Sequence, residues 1–152
     1  MTAKQYDVIL YGATGFTGTV AARYLQRAAP AGLKWAIAGR NSKKLQALAE
    51  TLPGAAGVVV ADSSDRASVD TMVSQTRVIA TTAGPYALYG EPVIAACVAQ
   101  GVDYTDITGE SPFIRDMITR YHDAAAAKGV RIVPFCGFCL LYTSPSPRDG
   151  TK

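Results

Sequence analysis

Short apolar runs alternate with amphipathic stretches along most of the chain. Apolar residues cluster at positions 6–11, 33–38, 57–61, 78–82, 102–107 and 130–135, and each run has the length of a buried strand. Apolar side chains recur at helical spacing in 16–29, 42–52 and 111–128, which predicts amphipathic helices there. We expect Ser42 and Ser64 to cap two helices and Pro92 to open another that ends at Gly101.

This alternation predicts an α/β fold. About six strands joined by helices indicate a doubly wound parallel sheet (a Rossmann fold) covered by helices on both faces. Right-handed crossovers favour the strand order 3-2-1-4-5-6. Ligands of such sheets bind at the carboxyl ends of the strands, near the switch point between strands one and four.

A glycine-rich loop follows the first predicted strand. Gly12, Gly15 and Gly18 lie between a strand and a helix, in the position of a dinucleotide-binding turn. Gly12 permits the tight turn, Gly15 lets a pyrophosphate approach the backbone, and Gly18 lets the helix pack on the sheet. The helix N-terminus favours phosphate, so we expect a cofactor loop here, with a purely structural turn as the alternative.

The loop after the second strand favours NADP over NAD. An NAD site usually has Asp or Glu here to bind the ribose 2′-hydroxyl, but this segment has no acidic residue. Arg40 occupies that place, and its guanidinium can bind a 2′-phosphate, with Asn41 beside it and Lys44 as a second positive charge. The alternative is an arginine on a surface loop.

Two further loops border the expected cofactor site. Asp62 ends the third strand, where it could bind the adenine amino group or cap a helix, and the sequence favours neither. Ala83, Gly84, Pro85 and Tyr86 follow the fourth strand, facing the glycine loop. We interpret Tyr86 as a wall of the cofactor site rather than a proton donor, because no lysine follows at the spacing of short-chain dehydrogenases.

No residue is assigned a catalytic role. Asp106 and Glu110 could form an acid–base pair, but a helix-terminal role is favoured for Glu110. We interpret His122 as structural or surface-exposed, and Cys97 and Cys136 as small apolar residues.

The composition excludes several classes of function. The net charge of +3 comes from scattered basic residues, so we expect no nucleic-acid partner. The three cysteines lack metal-binding spacing, so we expect a reducing compartment and no metal. We expect neither a signal peptide nor a transmembrane segment, and therefore a cytoplasmic protein.

Several motifs together resemble one family. Residues 11–18, 38–41, 83–86, 103–110, 120–122 and 134–138 are similar to segments of the saccharopine dehydrogenase-like oxidoreductases, in particular the bacterial trans-acting enoyl reductase type. The resemblance implies an NADP-binding domain of a reductase that transfers hydride to an unsaturated acyl (enoyl) or imine substrate. For the enoyl substrate it also implies a role in lipid biosynthesis. By this resemblance, the glycine loop, Arg40 and the Gly84 loop are expected to contact the cofactor.

The resemblance ends after Phe138. Residues 139–152 are rich in Ser and Pro and look like a translated sequencing adapter, with a disordered native tail as the alternative. We therefore expect an NADP-binding domain over 1–138, cut from a parent that holds its substrate in a missing C-terminal domain and could form homodimers. On that expectation the fragment itself is inactive. The alternative function is a non-catalytic NADP(H) redox sensor.

The predicted cofactor contacts form one set. They are Gly12, Thr14, Gly15, Phe16, Thr17, Gly18, Arg40, Asn41, Lys44, Asp62, Ala83, Gly84, Pro85 and Tyr86.

Overall fold

The structure is a computed structural model, and it describes residues 4–55 and 57–137. The expectations for the tail at 139–152 lie outside the described residues, as does Phe138.

Six parallel strands form one sheet in the order β3-β2-β1-β4-β5-β6, which confirms the predicted topology. The central strand β1 pairs with β2 on one side and β4 on the other, so that Leu10 lies between Ile37 and Ala80. The reversal of strand order thus falls between β1 and β4, where the carboxyl ends of both strands open a crevice. The strands are β1 (Tyr6–Tyr11), β2 (Trp35–Gly39), β3 (Gly57–Val60), β4 (Thr76–Thr81), β5 (Asp103–Asp106) and β6 (Ile132–Val133).

Five helices cover the two faces of this sheet. They are α1 (Phe16–Ala28), α2 (Ser42–Ala49), α3 (Arg66–Ser74), α4 (Tyr86–Gln100) and α5 (Ser111–Lys128). Ala22 of α1 and Leu45 of α2 belong to a core with Ile37. Met72 of α3 and Ile94 of α4 belong to a larger core on the other face. Within the described residues, no helix combines the length and hydropathy that a membrane crossing requires.

Two predicted helix caps are wrong by one residue. Asn41, not Ser42, caps α2, because its side-chain oxygen accepts a hydrogen bond from Lys44 N at 2.9 Å. Asp65, not Ser64, caps α3 by accepting from Ala67 N at 3.0 Å. In both cases a better acceptor lies beside the serine, and Asn and Asp are among the strongest capping residues.

The predicted start of α4 at Pro92 is wrong. The helix begins at Tyr86, after a cis Gly84–Pro85 peptide, and Pro92 lies inside it. Proline in a helix leaves the carbonyl four residues earlier without its usual donor. That residue is Leu88, whose side chain is exposed on the outer side of the helix. Because α4 begins six residues before Pro92, Tyr86 and Tyr89 lie on a helix, although the sequence had predicted a loop there.

Candidate functional site

The glycine loop joins β1 to α1 and is held against both neighbouring strands. Gly12 has φ +83°, and a Cβ there would lie 2.7 Å from Ala83 N, so a side chain cannot fit between the loops. The Gly12 N–H donates to Ala38 O at 2.9 Å. Thr82 donates through Oγ1 to Gly12 O at 3.2 Å. The ends of β1, β2 and β4 therefore form one rigid edge, with the loop at its centre.

The N-terminus of α1 is open at this loop. Gly15 occupies the N-cap position and has no side chain to cap the helix, so the N–H groups of the first turn are available to a ligand. Gly18 is buried, and a Cβ there would lie 2.1 Å from Gly12 O. Close packing of helix on strand thus fixes the direction in which the open N–H groups point.

A cavity of about 220 Å³ lies over this edge of the sheet. Its walls come from the carboxyl ends of four neighbouring strands and from the first turn of α4. The lining residues are Tyr11, Gly12, Thr14, Gly15, Gly39, Arg40, Ser63, Thr82, Ala83, Gly84 and Tyr89.

Six predicted contact residues line this cavity together. They are Gly12, Thr14, Gly15, Arg40, Ala83 and Gly84. Arg40 is exposed at the end of β2, and its positive charge acts on the Tyr11 phenol and on the Asp62 carboxylate. The cavity therefore has a guanidinium at one wall and open backbone N–H groups at another, an arrangement suited to a ligand with separated phosphates.

Three predicted residues near Arg40 lie outside the cavity wall. The Asn41 side chain is used in capping α2, and the Lys44 side chain is exposed on that helix. The Asp62 carboxylate accepts from Ser64 N at 3.0 Å and from Ser64 Oγ at 2.8 Å. These bonds from Ser64 lower the pKa of Asp62, so the carboxylate stabilises its own turn. Contacts from these three residues to a cofactor stay predictions.

The remaining predicted residues flank the cavity without lining it. Phe16 and Thr17 are exposed at the start of α1, and Gly18 is buried beneath the loop. Pro85 is the N-cap residue of α4. Tyr86 is buried, and its hydroxyl donates to Thr81 O at 3.0 Å. Burial raises the pKa of Tyr86 to about 12, so the phenol keeps its proton and acts as a structural donor.

Glu110 provides the cap that Pro85 cannot. Its two carboxylate oxygens accept from Tyr86 N and Ala87 N, each at 2.8 Å. A carboxylate at a helix N-terminus also interacts favourably with the helix dipole. The sequence predicted a helix-terminal role for Glu110 at α5. Glu110 does occupy the N-cap position of α5, but its side chain makes no capping bond there and its carboxylate caps α4 instead.

Asp106 is buried in a polar cluster of its own. Its carboxylate accepts from Tyr104 Oη at 2.8 Å, Thr108 N at 3.1 Å and Phe135 N at 3.1 Å. Burial raises the pKa of Asp106 despite these donors. All three partners are structural, so the arrangement links β5 to the segment after β6, and Asp106 does not line the cavity.

A larger apolar cavity of about 510 Å³ lies elsewhere, between α5 and β6. Exposed His122 lines it beside Met117, Ile132 and Pro134. Cys97 is buried in the core, and burial raises its pKa well above the ordinary value. Cys136 is exposed, and its Sγ accepts from Thr105 Oγ1 at 2.9 Å. The interpretations of His122 and Cys97 agree with these positions, whereas Cys136 is more exposed than expected.

Sequence reasoning missed five residues of the cavity. Tyr11, Gly39 and Thr82 each lie next to a predicted residue, so their strand-end positions were sufficient to find them. Ser63 follows Asp62 in the same turn. Tyr89 was hidden by the wrong helix start, because only a helix from Tyr86 turns it toward the sheet edge.

The site fits a dinucleotide cofactor on its own geometry. Gly12 leaves no room for a side chain and Gly15 carries none, so a ligand can approach the backbone of the loop. No side chain caps the N-terminus of α1, and the exposed Arg40 guanidinium lies at another wall of the cavity. Residues 12–18 and the start of α1 would hold the pyrophosphate, and Arg40 the 2′-phosphate.

Comparisons with known proteins agree with this assignment. A family profile described as "Saccharopine dehydrogenase NADP binding domain" matches residues 8–133. A protein named putative trans-acting enoyl reductase from Mycobacterium tuberculosis is 44% identical over 140 residues, which cover 90% of this chain and 33% of that protein. A trans-acting enoyl reductase from Mycobacterium ulcerans is 44% identical over 139 residues, 89% of this chain and 33% of that one. The chain thus spans about a third of the length of these relatives.

Solved structures share the fold. Apo saccharopine dehydrogenase from Saccharomyces cerevisiae superposes with a TM-score of 0.73 at 20% identity, covering 90% of this chain and 29% of that one. A triphenylmethane reductase from Citrobacter sp., complexed with NADP(H), gives a TM-score of 0.64 at 18% identity, covering 84% and 48%. The family profile, the strand order and the cofactor cradle together show that the chain belongs to the saccharopine dehydrogenase family, as its NADP-binding domain.

Proposed function

We propose that this domain serves an oxidoreductase that transfers hydride from NADPH to an unsaturated acyl (enoyl) or an imine substrate. NADPH supplies the hydride when bound, and the protein supplies binding and orientation. The enoyl substrate is favoured over the imine, because the relatives with 44% identity are named trans-acting enoyl reductases.

The observation that carries the proposal is the cavity at the switch point. It combines the uncapped N-terminus of α1 after Gly15, a close approach at Gly12, and the Arg40 guanidinium. This combination supports a cofactor with a pyrophosphate and a 2′-phosphate. The chain's own contribution to the reaction is to fix the cofactor along the sheet edge, so that its nicotinamide half lies toward the ends of β4 and β5.

The substrate is proposed to bind to residues outside this chain. In the described segments, the side chains at the ends of β4 and β5 are committed to structural bonds. Tyr86 donates to Thr81 O, Glu110 caps α4, and Asp106 accepts three hydrogen bonds. Because the relatives are about three times as long as the matched region, the proton donor and the acyl pocket are proposed to lie in their remaining residues.

A chimera tests this proposal. The chain replaces the matching third of the M. tuberculosis relative, and the chimera receives NADPH deuterated at the transferable position with an enoyl thioester or a cyclic imine. Mass spectrometry then follows deuterium into the product. The intact relative is the positive control, and the 152-residue chain alone is the negative control.

The expected result is deuterium transfer to the enoyl thioester by the relative and the chimera, while the chain alone binds NADPH without oxidising it. Transfer only to the imine would overturn the enoyl assignment. A folded chimera that binds NADPH but transfers no deuterium, beside an active relative, would overturn the catalytic proposal and favour the redox-sensor function.

A further inference from the structure

The cavity extends from the ends of β1 to β3 across the switch point as far as β4 and the first turn of α4. Its lining residues come from the glycine loop, from the ends of β2, β3 and β4, and from the first turn of α4. Among the described residues, none after β5 or β6 contributes to it. In a doubly wound sheet the strands β1 to β3 form one mononucleotide half and the later strands form the other. Most of the lining residues, among them Arg40 and Ser63, belong to the first half, which favours the adenosine part of the cofactor as the occupant of the cavity.

Tyr89 enters this adenosine cavity from the opposite half of the sheet. It is half-buried on α4, and its backbone N–H donates to Pro85 O at 3.1 Å. Gly84 and Tyr89 line the cavity on the side of α4, and Ser63 of the loop after β3 also lines it. Tyr89 therefore forms part of the wall of the space that an adenine would occupy.

The hydroxyl of Tyr89 differs from those of the other tyrosines near the cavity. Tyr11 forms a hydrogen bond with Ser63, and Tyr86 donates to Thr81 O. Over residues 4–55 and 57–137, no hydrogen bond joins the Tyr89 hydroxyl to another residue. A half-buried phenol at a cavity wall with an uncommitted hydroxyl is available to a ligand.

Asp62, for which the sequence left an adenine contact and a capping role open, uses one carboxylate oxygen within its own turn. Its Oδ1 accepts from both Ser64 N and Ser64 Oγ, two residues further along the chain. Asp62 also lies outside the cavity wall. A purine in this cavity therefore meets an aromatic face and a phenolic hydroxyl at Tyr89, and a guanidinium at Arg40.

We infer that Tyr89 is the adenine-binding residue of the site, with its ring packed on the face of the purine. The inference rests on the proposed placement of the cofactor in this cavity, and it makes Tyr89 a binding residue with no part in hydride transfer. Aromatic stacking tolerates any base, because every base has a π-face. Arg40 then binds the 2′-phosphate while Tyr89 packs on the base without selecting it.

Calorimetric titration of the full chain with NADPH, NADH and 2′,5′-adenosine bisphosphate tests the inference. The bisphosphate contains the adenine and the 2′-phosphate but no nicotinamide. Tyr89→Ala is expected to weaken all three ligands by the same factor of about tenfold. Tyr89→Phe keeps the ring, so it is expected to lose no more than about threefold from the hydroxyl. Tyr24→Ala is the matched control, since Tyr24 is exposed on α1 and outside the cavity.

The outcomes separate this inference from the proposed placement. If the wild-type chain binds neither NADPH nor the bisphosphate, the placement itself fails. If it binds both but Tyr89→Ala weakens NADPH and NADH while leaving the bisphosphate unchanged, the tyrosine contacts the nicotinamide half and the inference is overturned. Unchanged affinity for all three ligands also overturns it. Should Tyr89→Ala not fold, Tyr89→Leu keeps an apolar side chain on α4 and is expected to show the same loss.

Discussion

The cap on α4 provides the sharpest test of how the site is held together. Glu110 lies after β5, yet its carboxylate accepts from Tyr86 N and Ala87 N, both at 2.8 Å. Glu110→Ala removes both acceptors and the negative charge at once. The N-terminus of α4, which follows the cavity loop at Gly84, is left uncapped.

The expected cost follows from these two bonds. A hydrogen bond to a charged group contributes about 1.5–3 kcal/mol, and loss of an N-cap side chain costs about 0.5–2 kcal/mol. Ala87 is exposed, so water can replace its lost acceptor, whereas Tyr86 is buried. We therefore expect the free energy of unfolding to fall by about 2–3 kcal/mol for Glu110→Ala and by about 1 kcal/mol for Glu110→Gln, which keeps one acceptor.

Urea unfolding followed by circular dichroism measures both losses. Glu50→Ala is the matched control, because Glu50 is exposed at the end of α2 and its side chain takes no part in the hydrogen bonds described. A loss below about 0.5 kcal/mol for Glu110→Ala, in the range of ordinary surface substitutions, would refute the capping role.

Three further predictions concern neighbouring features. Burial raises the pKa of Asp106 above its unfolded value. As pH rises, the unfolded chain therefore gives up the Asp106 proton at a lower pH than the folded chain does. The free energy of unfolding of the wild type relative to Asp106→Asn should then fall as pH rises from about 4 and level off above the raised pKa. Urea unfolding across pH measures this, and a relative stability that rises with pH would contradict it. Gly18→Ala places a Cβ 2.1 Å from Gly12 O, so we expect the free energy of unfolding to fall by at least about 3 kcal/mol, measured by thermal unfolding. Gly109→Ala, with open space around it, should change little, and equal effects of the two variants would count against the close packing. Tyr86→Phe should cost about 1 kcal/mol of stability and leave NADPH affinity unchanged. Weaker NADPH binding in calorimetry would instead show that Tyr86 contacts the cofactor.

The strand order was predictable because it depends on local patterns. The central strands β1, β2 and β4 are covered by helices on both faces, so residues such as Ile9, Ile37 and Ile79 lie in apolar runs that the sequence displays directly. The handedness of the crossovers then leaves few possible orders. The glycine loop was predictable for the same reason, since its spacing and flanking elements are contiguous in sequence.

The errors arise where a distant residue decides the local structure. Pro92 resembles a helix start, but Glu110 caps α4 six residues earlier than that proline. This contact joins segments 24 residues apart, and no local signal reports it. The same shift concealed Tyr89 as a lining residue of the cavity.

The central claim, that Arg40 selects NADPH from this cavity, is tested most directly by calorimetric titration of the wild-type chain and Arg40→Ala with NADPH and NADH. Arg40 is exposed at the cavity wall, so its removal should leave the fold intact. We predict that the wild type prefers NADPH and that Arg40→Ala weakens NADPH binding by about 1.5–3 kcal/mol while barely changing NADH binding. Equal losses for the two cofactors, or a wild type that binds NADH as tightly as NADPH, would contradict the account.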